Sequence, residues 1–363
     1  MGKLKLGDKL TKFLRRGIVK SLAELINRIK TRKARVKFRM AQIASATRSP
    51  LLQSQRCEKP TGVRIAAIMM AKNECDIIEH CIRINLRSFD RIFVMDHNST
   101  DSTKAILRLL IQEGLPLSLI ETPTKDAAYH QGELMTRIMQ DVAKTNSFDF
   151  IMPLDADEFL VYHEGRHPFT ALHLLSPNEY GLVPWITYVP TIDSTGKQLP
   201  LAESFQPRDR EPRLYHKVVI CNEMAKSCRL NMGSHSLANV SQENAVFINT
   251  MSLQHIPVRS SSQIISKALI GVNALRLKKD RRPDEGQHWF DMEQRFKGKT
   301  ALNFNELQAE GLIYACIGLE DSVPIAKVCK ENTYLQVGSI SDSLRWPELA
   351  VVNIDRNLKA ITG

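Results

Sequence analysis

Between Val63 and Leu154 the apolar positions follow two rhythms in turn. Strand-length apolar runs at Val63–Met70, Arg91–Met95, Leu117–Glu121 and Phe148–Leu154 are separated by stretches with helical apolar spacing over Glu74–Leu86, Ser102–Glu113 and Gln131–Lys144. Strands alternating with helices of this length predict an α/β fold, with a mostly parallel sheet and right-handed crossovers. Pro153 has no N–H to give a ladder, so it fits only at the end of its strand. Beyond Leu160 the alternation weakens. Gly181–Val189, Leu214–Ile220 and Ala245–Leu253 read as strands with fewer helices between them, which predicts a mixed second half. Residues 260–298 read as helices, and about 300–363 carry no recognisable motif.

Residues 1–40 show a third pattern. Leu10, Leu14, Ile18, Leu22, Ile26 and Ile29 fall near helical spacing, with Lys9, Lys12, Arg15, Arg16, Lys20 and Arg28 largely on other faces. The whole chain of 363 residues carries a formal charge of +11, but residues 1–60 hold 17 Lys and Arg against 3 Asp and Glu. The rest holds 33 against 36, so the basic character belongs to this arm and not to the body. A basic amphipathic helix suits an anionic membrane surface. A helix packed on the protein's own body, its basic face solvated, accounts for the same pattern, and nucleic acid is the weaker partner. No apolar run approaches the roughly 20 residues needed to span a bilayer, and no signal-peptide pattern is present. The expected organisation is an arm and linker over 1–60, a catalytic domain over 61–275 with halves at 61–160 and 161–275, and an extension over 276–363.

Apolar and charged fractions of 43% and 25% are ordinary for a globular protein and favour neither a disordered nor a membrane-embedded class. The seven cysteines (Cys57, Cys75, Cys81, Cys221, Cys228, Cys316 and Cys329) form no CxxC pair and are odd in number. They read as reduced thiols, which predicts a cytoplasmic protein, peripheral at the inner face of the membrane if the arm docks there.

The chemistry concentrates at Phe148–Leu160, FDFIMPLDADEFL. A buried strand ends abruptly in Asp155, Asp157 and Glu158. Burying three carboxylates without compensation is costly, and hard oxygen ligands suit Mg²⁺ or Mn²⁺. A solvated acidic turn capping a helix is the bland alternative. Other strands of this half also end in polar residues: Lys72, Asn73 and Glu74 after the first, and Asp96, His97, Asn98, Ser99 and Asp101 after the second. Neither GxGxxG nor GxxxxGK[ST] follows the first strand, which removes the dinucleotide and P-loop classes.

The motifs M-A-K-N-E, M-D-H-N-S-T-D-S-T and L-D-A-D-E-F, in this order, resemble the family-2-type glycosyltransferases of GT-A fold, in the branch with a DxDEF core. The resemblance covers roughly residues 63–275. It implies a nucleotide-diphospho-sugar donor, a saccharide or glycoconjugate acceptor, bound Mn²⁺ or Mg²⁺, and an inverting transfer in surface polysaccharide or glycoconjugate synthesis. By that resemblance Asp96 contacts the base or ribose, and Asn73 and Glu74 line the nucleotide pocket. Asp155 lies near ribose and metal, and Asp157 ligates the metal. His235, in N-M-G-S-H-S-L, matches a late G-x-H segment and is a competent third ligand. His255 and Arg259, in L-Q-H-I-P-V-R-S, face the diphosphate, with Lys267 nearby in sequence. Glu203, in E-S-F, is the expected acceptor base, with Asp193 and Asp209 as neighbours. Asn73 also suits an N-cap, with Asp76 in the first turn, and Asp101 and Ser99 read as caps. Trp185 reads as a core tryptophan or an acceptor platform. Two other classes compete: a metal-dependent phosphotransferase or phosphatase with Asp155 as nucleophile, and a membrane or nucleic-acid adaptor built on the arm.

Overall fold

In the computed structural model the described residues are 62–122, 130–162, 172–190, 205–207, 215–279, 281 and 285–314. The N-terminal arm lies outside them, as do Glu203, Asp193 and Asp209. Among the described residues no helix is long and apolar enough to cross a membrane.

The expected α/β architecture is present. In chain order the first half runs β1 (Ile65–Ala71), α1 (Ile78–Asn85), β2 (Arg91–Asp96), α2 (Thr103–Gln112), β3 (Leu117–Ile120), α3 (Gln131–Lys144) and β4 (Phe150–Leu154). The second half adds β5 (Glu158–Tyr162), β6 (Tyr180–Pro190), β7 (Phe205–Pro207), β8 (His216–Cys221), α4 (Asn222–Ala225), β9 (Ala245–Phe247) and β10 (Met251–His255). Three helices follow: α5 (Ser261–Leu277), α6 (Gln287–Phe296) and α7 (Phe304–Ile313).

The strands form one sheet in the order β3-β2-β1-β4-β8-β6-β10-β5, with β7 and β9 also paired to β6. β1 pairs in parallel with both β2 and β4, and β2 with β3. β8 runs antiparallel to β4 and to β6, and β5 antiparallel to β10. β6 therefore runs in the direction of β4, and β9 and β10 run parallel to β6. The carboxyl ends of β1, β2, β4, β6 and β10 thus share an edge with the amino ends of β5 and β8.

β1 shows why the sequence builds a buried central strand. Ile65, Ala67 and Met69 face one apolar layer, shared with Ile78 and Ile82 of α1 and Leu107 of α2. Ala66 and Ile68 face the other, shared with Met135, Ile138 and Met139 of α3. Period-two alternation puts both faces under helices, so every position is apolar. Pro153 is accommodated as expected: pairing of β4 with β8 stops at Ile151↔Ile220, before a proline N–H would be missed.

The structure departs from the expected elements in four places. The helix expected from Glu74 begins only at Ile78, and no side chain caps it, so Asn73 is not its N-cap. The acidic motif does not lead into a helix, because Glu158 opens strand β5. Ala245–Leu253 is two strands, β9 and β10, not one. Finally, α7 lies in the segment where no motif was read, and Asn303 and Glu306 form a capping box at its start.

Candidate active site

The shared edge collects the polar strand ends. After β1, Asn73 adopts φ 55°, a left-handed conformation that asparagine tolerates better than most residues. Its backbone N–H donates to Ser99 Oγ at 3.0 Å, and its side chain bonds Thr100 through Oδ1 (2.7 Å from the Thr100 N–H) and Nδ2 (3.2 Å from Oγ1). Asn73 therefore ties the loop after β1 to the loop after β2. Asp101 accepts from the N–H of Thr103 at the start of α2 and from that of Cys75, but the N-cap of α2 is Ser102 with no side-chain cap bond, so neither Asp101 nor Ser99 is the cap expected. Asp96 ends β2, 5% exposed. Its Oδ2 accepts from Ser99 N–H at 3.3 Å, while Oδ1 is buried with no hydrogen-bond partner. A buried carboxylate oxygen left open is costly unless a ligand donor meets it.

Beyond β4, the turn Asp155–Glu158 is held from inside. Glu158 N–H donates to Asp155 O at 3.1 Å, and Asp155 N–H donates to Glu158 Oε2 at 2.8 Å. Asn85 of α1 accepts from Leu160 N–H and donates to Glu158 O, anchoring the start of β5. The three carboxylates do not face one another across a common point. Asp155 Oδ2 accepts from Lys217 Nζ at 2.7 Å, and the same ammonium lies 3.4 Å from Glu158 Oε1. Lys217 and Glu158 are 1% and 0% exposed. Burial pushes the Glu158 carboxyl up to about 8, with Asp155 and Asp157 adding to the effect and Lys217 opposing it.

Asp157 has different partners. Lys267 Nζ of α5 lies 2.6 Å from Oδ2, His255 Nε2 is 3.5 Å from Oδ1, and Arg259 lies at 3.6 Å. Burial acts to raise this carboxyl, but Lys267, then His255 and Arg259, hold it well below the usual carboxylate range. Arg259 is itself engaged on all sides. Its guanidinium bonds Glu74, Asp76 (Nε to Oδ2, 2.7 Å) and the Ile256 carbonyl. Glu74, expected to line the nucleotide pocket, is thus turned to Arg259 and Lys267. Neither Arg259 nor His255 offers a free face: the His255 ring stacks on Trp185 with centroids 3.9 Å apart and planes at 15°. Trp185, 8% exposed, is a core residue.

His235 sits on a turn built for it. Gly233 and Ser234 take φ 70° and 54°, and a Cβ on Gly233 would lie 2.5 Å from His235 Nε2. His235 Nδ1 bonds the His216 carbonyl at 2.8 Å. A carbonyl only accepts, so Nδ1 carries the proton and Nε2 keeps its lone pair. Burial lowers the pKa to about 4, so the ring is neutral at neutral pH. Gln131, the first residue of α3, links this turn to the acidic one. Its Oε1 accepts from Gly233 N–H at 3.1 Å and its Nε2 approaches Asp155 Oδ1 at 3.5 Å. Gly233→Ala should therefore push the imidazole off this seat. The expected result is a protein folded by circular dichroism whose His235 resonance, in a ¹H–¹⁵N spectrum, shifts and titrates nearer the ordinary histidine pKa.

Neither a family model nor a curated protein sequence matches the chain. Solved structures that align with parts of this chain include three in complex with nucleotides. A structure of TarS residues 1–349 from S. aureus in complex with UDP is 12% identical, covering 65% of this chain and 73% of that one at a TM-score of 0.33. GalNAc-T7 with UDP, GalNAc and Mn²⁺ is 10% identical, covering 74% and 62% at a TM-score of 0.36. The mannosyltransferase PcManGT from Pyrobaculum calidifontis, in complex with GDP-Man and Mn²⁺, is 16% identical, covering 81% and 87% at a TM-score of 0.32. At these identities and scores the likenesses assign no activity to this chain, and the site rests on its own geometry.

Of the three residues expected to bind metal, two have the right chemistry. Asp155, its side chain 29% exposed, keeps Oδ1 clear of the lysine, and neutral His235 donates its Nδ1–H to a carbonyl, the usual arrangement of a metal-binding histidine. Asp157 is enclosed by cations and does not fit. Among the described residues no three His, Cys, Asp or Glu side chains gather as a metal-holding group. Sequence reasoning missed Lys217 altogether, although a lysine inside the apolar run LYHKVVI is a signal that a buried acid waits for it.

Proposed function

We propose that this chain is a nucleotide-sugar-dependent glycosyltransferase of GT-A type, and that the donor nucleotide lies over the carboxyl ends of β1, β2 and β4. One observation carries the proposal. In the sheet order β3-β2-β1-β4 the chain moves outward to one side of β1 and then crosses to the other, which makes the ends of β1 and β4 a topological switch point. Open α/β sheets bind ligands at such a switch point. Asn73 follows β1 and Asp155 follows β4 at that point, and Asp96, with its unmatched buried oxygen, ends the neighbouring β2.

In this reading Asp96 Oδ1 accepts a hydrogen bond from the base or ribose, and the Asn73 bridge holds the two loops at a fixed spacing. Asp155 presents one oxygen to the sugar-diphosphate end, and His235 faces it from the Gly233 turn. A divalent ion arriving with the donor would be held by Asp155 and His235 and would act as a Lewis acid on the departing diphosphate. Lys267, 22% exposed, is the basic group of the Asp157 cluster nearest to solvent. Glu203 is the proposed acceptor base and Asp193 its alternate, and the transfer is proposed to be inverting. Surface polysaccharide or glycoconjugate synthesis, at a membrane reached through the basic arm, is the proposed setting.

A thermal-shift screen of nucleoside diphosphates and nucleotide sugars, with and without Mn²⁺, tests the proposal. A ligand at 100 times its Kd stabilises by about 2.7 kcal/mol, enough to raise the midpoint by several degrees. One nucleotide should stand out. A flat response to all of them at millimolar concentration would count against it.

A further inference from the structure

We propose that Lys217 is a built-in counter-ion that positions the acidic turn, so that the donor edge is fully formed before any divalent ion arrives. This deepens the glycosyl-transfer reading and takes its functional meaning from it.

Lys217 is the second residue of β8, where its neighbours Val218, Val219 and Ile220 are all 0% exposed. A charge in such a run needs a fixed partner. β8 pairs with β4 only as far as Ile220↔Ile151, while its pairing with β6 continues to Val183↔Lys217 and Pro184↔His216. The lysine therefore stands on a strand end fixed by β6, beside a β4 end that β8 no longer pairs. There its ammonium meets Asp155 at 2.7 Å and Glu158 at 3.4 Å. It has no mobility to lose, being 1% exposed and packed near the Trp185 ring, 6.0 Å from the centroid.

Two consequences follow. First, Glu158 is fully buried with Oε1 3.4 Å from the ammonium, which opposes the burial that pushes this carboxyl toward its protonated form, and its other oxygen accepts from the Asp155 N–H. The shape of the turn thus depends on Lys217. Second, a divalent ion cannot share Asp155 Oδ2 with an ammonium already in contact, because like charges at that distance repel. A ligand or an ion would have to use Oδ1, which meets the Gln131 amide at 3.5 Å. Take the ammonium away, and Asp155 and Glu158 become two carboxylates around an empty place, a pair that hard cations bind.

Thermal unfolding of four samples tests this. Wild type should melt at the same temperature in EDTA and in millimolar Mn²⁺ or Ca²⁺. Lys217→Met should melt roughly 10 °C lower, and millimolar Mn²⁺ or Ca²⁺ should restore a large part of the loss. Lys217→Met with Glu158→Gln, which removes the charge together with a partner, should recover most of the stability and ignore the ions. Lys217→Arg should stay near wild type. A wild type destabilised by EDTA would overturn the proposal, and so would a Lys217→Met protein indifferent to ions. If Lys217→Met is insoluble, the double variant decides: a folded double variant supports the charge role, and an unfolded one shows that packing alone was lost. A parallel titration of wild type with UDP and GDP separates the two readings. Failure to bind either nucleotide removes the glycosyl-transfer reading, and the melting series still judges Lys217.

Discussion

Asp157→Asn should destabilise the protein strongly while keeping its shape. The carboxylate is the common counter-charge of Lys267 at 2.6 Å and Arg259 at 3.6 Å, with His255 at 3.5 Å. Asparagine fills the same volume but leaves a cluster with one negative charge fewer around groups that are almost wholly buried. Removing one partner of a buried pair typically costs about 3–5 kcal/mol, which corresponds to a fall in melting temperature of roughly 10 °C for a domain of this size. A second change, Lys267→Met, should recover a good part of it, because the surplus cation goes too. The sequence motif alone suggests the opposite outcome, in which the fold survives and only metal binding fails. Chemical denaturation of wild type, both single variants and the double variant measures the coupling. A melting temperature within a degree or two of wild type for Asp157→Asn would show that the cluster is not held by that charge.

Asp155→Asn should do the reverse, sparing the fold and impairing the chemistry. The amide oxygen can still accept from Lys217, so the turn keeps its strongest contact. What disappears is the negative charge shared with Oδ1, the oxygen that Lys217 does not hold. If that charge orients the donor or its ion, turnover should fall by about 10²–10³-fold, as when one preorganised electrostatic contact is removed. The melting temperature should fall less than in Asp157→Asn, because Glu158, 3.4 Å from the same ammonium, can take over as the counter-charge of Lys217. Sugar transfer from the nucleotide sugar selected by the thermal screen, measured by release of nucleoside diphosphate, checks this. Turnover within threefold of wild type would move the donor's diphosphate away from Asp155.

The first half of the fold was legible because each element keeps a single period over its whole length. Gln131–Lys144 was read to the residue, and β2 and β3 within one residue, because their apolar positions pack on neighbours directly above or below them in the sheet. β5 was not legible. Three acids in four positions look like solvent-facing turn, and only the three-dimensional supply of Lys217 and Asn85 makes Glu158 the first residue of a buried strand. The same reason explains the partners of the motif. The sequence shows that Asp155, Asp157 and Glu158 need compensation. Whether an ion or lysines from β8 and α5, some 60 and 110 residues away, provide it is a matter of topology. Arg259 and His255 were read as ligand-facing because their segment matches a family pattern, yet both are turned inward to Asp157. Helix α7 is different, since its signal was present: Asn303 followed three residues later by Glu306 is a capping box readable from the sequence.

The central claim, a nucleotide over the ends of β1, β2 and β4, stands most directly on Asp96. Its Oδ1 is buried and unmatched, and its Oδ2 is held by the Ser99 N–H rather than by Lys217 or Lys267, whose disturbance would confuse the result. Calorimetric titration of wild type and Asp96→Ala with the best nucleoside diphosphate, in the presence and absence of Mn²⁺, is the measurement. The expected result is one saturable site in wild type and an affinity at least about tenfold weaker in Asp96→Ala under both conditions, as fits the loss of a charge-assisted hydrogen bond of about 1.5–3 kcal/mol. Absence of nucleotide binding by wild type, or equal affinity in the two proteins, would contradict it.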